Sequence, residues 1–124
     1  MELAIPHLRI LDYDQAIDFY VGDLGFEVTF EWRHEPGFPV YMGIKRGTLY
    51  AHLSEHEGSG PAGQGRGMTL QVEDARVWYD SLKKQGVRFE REIQDEPWGD
   101  TDFIVHDPFD NTIVITSTTV KSGG

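Results

Sequence analysis

Glu96-Pro97-Trp98-Gly99, followed by Asp102-Phe103-Ile104-Val105-His106-Asp107-Pro108-Phe109-Asp110-Asn111-Thr112-Ile113-Val114-Ile115, reads as a loop with one tryptophan, a strand, a tight Asp-Pro turn and a second strand. A similar layout stands about sixty residues earlier, so the chain reads as a tandem repeat of one small mixed unit. Two such units, with a Trp loop and an acidic surface, point to a cupped binding site. They do not by themselves name a reaction.

Working outward, each half gives the order strand, helix, three strands. Residues 5–11 alternate, with Leu8 and Ile10 on one face and His7 and Arg9 on the other. Asp14 is the expected helix cap, followed by the stripe Ala16, Ile17, Phe19, Tyr20 and Leu24 and a stop at Gly25. Phe26–Trp32 is the next strand, and the Pro-Gly run from His34 to Pro39 is a loop. Val40–Lys45 and Thr48–Ser54 make a hairpin around Arg46-Gly47.

Glu55–Gly67 is glycine-rich and reads as a mobile connection. It lacks the Gly-Lys-Ser/Thr ending of a phosphate loop. In the second half Met68–Val72 is a strand, and Asp74 caps a helix with Val77, Trp78 and Leu82 apolar. Lys83 and Lys84 suit its C-terminal dipole, and Gly86 ends it. Val87–Ile93, Phe103–His106 and Thr112–Thr118 complete the set. The expected organisation is one α+β domain over 1–124, with two βαβββ modules forming a cupped, partly open mixed sheet. Module 1 covers about 1–57, the connection about 58–66, module 2 about 67–119 and a frayed tail 120–124.

The faces turned away from the helices collect His7, Arg9, Tyr50, His52, Thr69, Gln71 and Thr112, a hydrogen-bonding concavity of the kind ligands occupy. Composition narrows the ligand. The formal net charge of -10 argues against nucleic acid and permits steering of cations. With no cysteine, thiolate chemistry and disulfides are excluded. No apolar run reaches membrane-span length, and the N-terminus lacks signal-peptide features. The expected location is therefore cytoplasmic. No Ser-His-Asp or paired-carboxylate constellation stands out.

The repeat, with Leu8-Arg9-Ile10-Leu11-Asp12, Ala16-Ile17-Asp18-Phe19-Tyr20, Leu24-Gly25-Phe26, Gly86 and Asp107-Pro108, resembles the vicinal oxygen chelate superfamily of glyoxalases, extradiol dioxygenases and bleomycin resistance proteins. Glu96-Pro97-Trp98-Gly99 and Asp107-Pro108-Phe109-Asp110-Asn111 are most similar to the bleomycin resistance branch. For the metal enzymes, the resemblance implies ligands on the first and last strands of each half. Those positions fall on Ile5, His52, Gly67 and Val114, and His7 lies two residues past the first. One ligand of four does not make a catalytic metal site, for which about three are usual.

The branch implies a homodimer that binds its drug in grooves at the subunit interface without chemistry, and an N-terminal strand, hinged near Pro6, exchanged between subunits. The implied partner is a cationic, flat-aromatic small molecule, bleomycin-type or an unknown metabolite, with no cofactor. Trp98 either anchors its loop or offers a stacking face. Phe30, Trp32 and Phe38 are pocket candidates, and Tyr50 and His52 are polar ones. Glu31, Glu35 and Asp100 are candidates for attracting charge. The alternative is a metal-dependent enzyme of the same superfamily, its divalent ion held by His52 and His7.

Overall fold

The structure, a computed structural model, describes residues 1–118. The tail expected over 120–124 lies outside the described residues. Module 1 contains β1 (His7–Arg9), α1 (Tyr13–Ile17), a π-helical continuation of α1 (Asp18–Asp23), β2 (Glu27–Trp32), β3 (Tyr41–Arg46) and β4 (Leu49–Ser54). Module 2 contains β5 (Gly67–Gln71), α2 (Ala75–Gln85), β6 (Phe89–Asp95), β7 (Asp100–His106) and β8 (Thr112–Thr118). Each module forms its own four-stranded mixed sheet, ordered β1-β4-β3-β2 and β5-β8-β7-β6. First and last strands of each module run parallel side by side, and the other pairs are antiparallel. The repeat read from the sequence is therefore present in full.

Two local readings change. Asp12, not Asp14, caps α1: its extended backbone lets the carboxylate accept from the Gln15 N–H. Val77, expected on the apolar stripe of α2, is exposed, whereas Trp78 and Leu82 are buried as expected. Asp74 caps α2, accepting from the Arg76 N–H, and Gly86 ends it.

A single core of aliphatic and aromatic side chains lies on the helix side of both sheets, built from Leu8, Ile10, Met42, Ile44, Ala51 and Leu53 in module 1 and Met68, Leu70, Phe103, Val105, Ile113 and Ile115 in module 2. Polar groups knit the modules at one point. Asp107, almost fully buried, accepts from the N–H groups of Phe109 and Asn111, from Asn111 Nδ2 and from the Tyr20 hydroxyl at 2.6 Å. Asn111 in turn donates to the Arg9 carbonyl and accepts from the Gly63 N–H. The connection read as mobile is thus tied down, and Ser59 and Arg66 also bond to its neighbours. Backbone groups that leave water must find partners, and here the Asp-Pro turn supplies them.

Burial first, then the charge of Asp107 and the hydrogen bond to it, push the Tyr20 hydroxyl well above the ordinary tyrosine value of 10.0. The native state keeps this proton where the unfolded chain loses it. The contribution is whole below the unfolded value and is lost as pH rises above it. Urea midpoints are expected to fall between about pH 10 and 12. Tyr20→Phe, weaker at neutral pH, should show a shallower fall. An equal slope in both proteins would exclude Tyr20 as the source.

Candidate binding face on the first sheet

The open face of the first sheet depends on one irregularity in β2. Val28 pairs with Ile44, but Phe30 pairs with Gly43, so Thr29 is an extra residue in the ladder. Strand side chains alternate, and an inserted residue reverses the phase beyond it. Val28 therefore packs against the core, while Phe30 and Trp32 turn to the open face and Glu31 turns to the helix side. The exposures follow: Phe30 42% and Trp32 53%.

Across the sheet, register brings Phe30, Gly43, His52 and His7 into one row. Gly43 is required there. A Cβ on it would lie 2.4 Å from the Phe30 ring, so the ring occupies the space a side chain would take. Tyr41, on the same face, has its ring 6.1 Å from that of Phe30 at 23°. It also contacts His52 at 5.4 Å and His7 at 5.5 Å. The Tyr41 hydroxyl and His52 Nδ1 are 2.8 Å apart. Trp32 continues the surface, stacked on His56 at 6.2 Å and 19°, with His34 and then Phe38 beyond. The result is a continuous aromatic and imidazole surface. Tyr41, His34 and His56 belong to it and were missed in the sequence; the apolar alternation of β3 carried no sign of which face Tyr41 takes.

Of the expected residues, Phe30, Trp32, Phe38 and His52 come together, and Tyr50 lies one strand repeat from His52 on the same face. Trp98 stands apart, in the turn between β6 and β7. It is 67% exposed, and its indole N–H donates to Asp100 at 2.9 Å. Asp100 is thereby engaged with Trp98 itself. Glu31 accepts from the Tyr13 hydroxyl on the helix side, away from Phe30 and Trp32. Glu35 is exposed in the loop after Trp32. Elsewhere the acids pair locally: Asp102 and Glu96 with Arg91, Asp95 with Arg76, and Glu55 with Arg33. Of the three acids expected to attract charge, Glu35 alone stands in the loop beside the first-sheet rings without a side-chain partner among the described residues.

The corresponding row of the second sheet is Arg91, Ile104, Val114 and Thr69, generated by an equivalent register shift between Phe89 and Arg91. It carries no aromatic ring. In the parallel pairings His7 sits opposite His52, and Thr69 sits opposite Val114. Two neighbouring imidazoles in one sheet, with a threonine and a valine at the matching places of the other, do not supply a divalent-metal donor set. Among the described residues no three of His, Asp and Glu converge. A separate cavity of about 660 Å³ lies away from this face, between the Arg46–Leu49 turn and the exit of β5. One wall is Arg46, seated 3.9 Å over the Trp78 ring and bonded to the Leu24 carbonyl.

Paired βαβββ modules, each with its own four-stranded mixed sheet, define the class of fold. The family model described as Glyoxalase/Bleomycin resistance protein/Dioxygenase superfamily matches residues 4–115, and the chain belongs to that superfamily. No curated protein is similar enough to match.

Among solved structures, a superfamily member from Sphaerobacter thermophilus DSM 20745 superposes with a TM-score of 0.74 at 24% identity, covering 94% of this chain and 98% of its own. TioX from Micromonospora sp. ML1 gives 0.74 at 18%, with 97% and 98% covered. A bleomycin-binding protein complexed with bleomycin gives 0.73 at 24%, with 95% and 99% covered. At such identities the likeness concerns the fold.

Proposed function

We propose that this protein binds and sequesters a flat aromatic small molecule without making or breaking bonds in it, bleomycin being the model ligand. The observation that carries this reading is the exposed pair Phe30 and Trp32, turned to the open face by the bulge at Thr29, with the half-buried rings of Tyr41 and His56 beside them. Flat π-systems stack on such surfaces, and water is readily displaced from them. The acidic whole-protein field draws cationic ligands toward the molecule at long range. The likeness to a bleomycin-bound structure supports the ligand class.

The homodimer and the cytoplasmic setting are part of this reading. In a dimer with interfacial grooves, Trp98 would reach a ligand from outside the first-sheet row. Within the chain itself β1 pairs with its own β4. No helix among the described residues is long and apolar enough to cross a membrane. The metal-dependent enzyme reading has only His7 and His52 behind it, and His52 Nδ1 is already engaged by Tyr41.

Titration of the metal-free protein with metal-free bleomycin, followed by tryptophan fluorescence and calorimetry, tests the proposal. Saturation is expected in the sub-micromolar range, with Trp32→Ala and Trp98→Ala each weakening binding by about 1–3 kcal/mol. No binding up to about a millimolar would sink the reading. Unchanged affinity in one variant would remove that tryptophan from the site. Sedimentation velocity on the same samples checks the dimer.

A further inference from the structure

Beside the aromatic row, where β1, the 3₁₀ turn Glu57–Ser59 and the start of β5 meet, lies a polar pocket of about 250 Å³. Its walls include His7, Arg9, Ser59, Arg66 and Gly67. Its charge is anomalous. The chain carries 21 acidic against 11 basic residues, and most of the acids near a guanidinium are paired with it. Arg9 and Arg66 are exceptions.

The half-buried Arg9 guanidinium donates only to backbone carbonyls, those of Ile10 at 3.2 Å and Gly60 at 2.9 Å. Arg66 reaches the same residue from the other side: a Cβ on Gly60 would lie 3.9 Å from its Nη2. Neither guanidinium, nor the His7 imidazole, pairs with a carboxylate among the described residues.

Two cations near one glycine repel each other, and a paired acid would be the ordinary remedy. Among the described residues neither has one. Instead the fold holds Arg9 in place through carbonyls, which leaves the outer N–H groups of both guanidinium forks free. Planar forks of this kind match a carboxylate or phosphate with paired hydrogen bonds. The Ser59 hydroxyl adds a further polar group; it is 2.8 Å from the Ser54 hydroxyl, which positions it. His7 belongs to both places, since it lines the pocket and its ring is in contact with Tyr41.

We infer that this pocket is an oxyanion subsite continuous with the aromatic row. The ligand class is then a flat aromatic molecule with a phosphate or carboxylate at one end. The inference rests on the ring-binding reading for the body of the ligand, and it adds the chemistry of one terminus.

The test uses inorganic phosphate, phenyl phosphate and benzoate, titrated at constant ionic strength by calorimetry, with phosphorus NMR for the two phosphates. Phenyl phosphate should bind at least ten times more tightly than inorganic phosphate. Benzoate shows whether a carboxylate is accepted in place of the phosphate. Arg66→Gln, an exposed change, should weaken phenyl phosphate at least tenfold. Tyr41→Ala, which removes the ring 5.5 Å from His7, should weaken phenyl phosphate and leave inorganic phosphate unchanged.

Saturable binding by neither phosphate nor benzoate up to about 10 mM would overturn the subsite. So would affinities unmoved by Arg66→Gln. Equal affinities for phenyl and inorganic phosphate would overturn its continuity with the rings. Bleomycin titrated in parallel separates the two claims. If bleomycin binds and the anions do not, the subsite alone fails. If the anions bind and bleomycin does not, the bleomycin-type ligand is what fails.

Discussion

Asp107→Ala is expected to destabilise the protein by about 3–5 kcal/mol in urea unfolding at neutral pH, among the largest effects of any single side chain here. The carboxylate is nearly inaccessible and accepts four hydrogen bonds, from two backbone N–H groups, one side-chain amide and the Tyr20 hydroxyl. Truncation leaves all four donors buried without an acceptor, and the cost comes from those stranded donors more than from the lost bonds themselves. The damage spreads through Asn111, which holds both the Arg9 carbonyl and the Gly63 N–H. Both modules should therefore unfold together, with one transition by fluorescence and by circular dichroism. A loss under about 1 kcal/mol would mean that water replaces the carboxylate and that the junction is wetter than its burial indicates.

Gly67→Ala should cost about 3 kcal/mol, close to the upper range for overpacking. A Cβ at Gly67 would stand 1.8 Å from the Thr112 carbonyl oxygen and 2.7 Å from its carbon. The obstacle is backbone, not the movable end of a side chain. The first rung of the parallel β5–β8 pairing would have to open to admit it. Gly58→Ala is the matched control. Nothing lies within 4 Å of its Cβ position, and a change within about 0.5 kcal/mol is expected. Equal stabilities for the two variants would show that β5 and β8 part easily at this end.

Several residues were readable at once because their signal is local. Asp74 and Gly86 bound α2 by the chemistry of caps, and Trp78 and Leu82 follow the helical period. Leu8 with Ile10, and Ala51 with Leu53, give away the core faces of β1 and β4 by simple alternation. Asp12 and Asp14 shared the same capping chemistry, and only the backbone shows which one is extended. Phe30, Trp32, Phe38 and Trp98 were singled out as aromatics near loops and strand ends, and all four are exposed. Glu31 was a candidate for attracting charge, yet adjacent strand residues point to opposite faces, and it bonds to Tyr13 behind the sheet.

The sequence by itself determined the tandem repeat, the order of strands and helices and most core-facing residues, because capping and hydrophobic period are properties of neighbouring residues; its motifs, by resemblance, pointed to the superfamily that the family model matches. The tertiary structure alone decided which residues come together on the open face of the first sheet. Unbroken alternation along Phe26, Val28, Phe30 and Trp32 would have buried all four on one face. The extra residue at Thr29, visible only once β2 lies against β3, reverses the last two and exposes them. The parallel register sets His7 beside His52, and the return of the chain to β5 brings Arg66 to Arg9, 57 positions away in sequence. Bulges, registers and long-range charge pairs arise from how strands meet, and no single stretch of the chain encodes them.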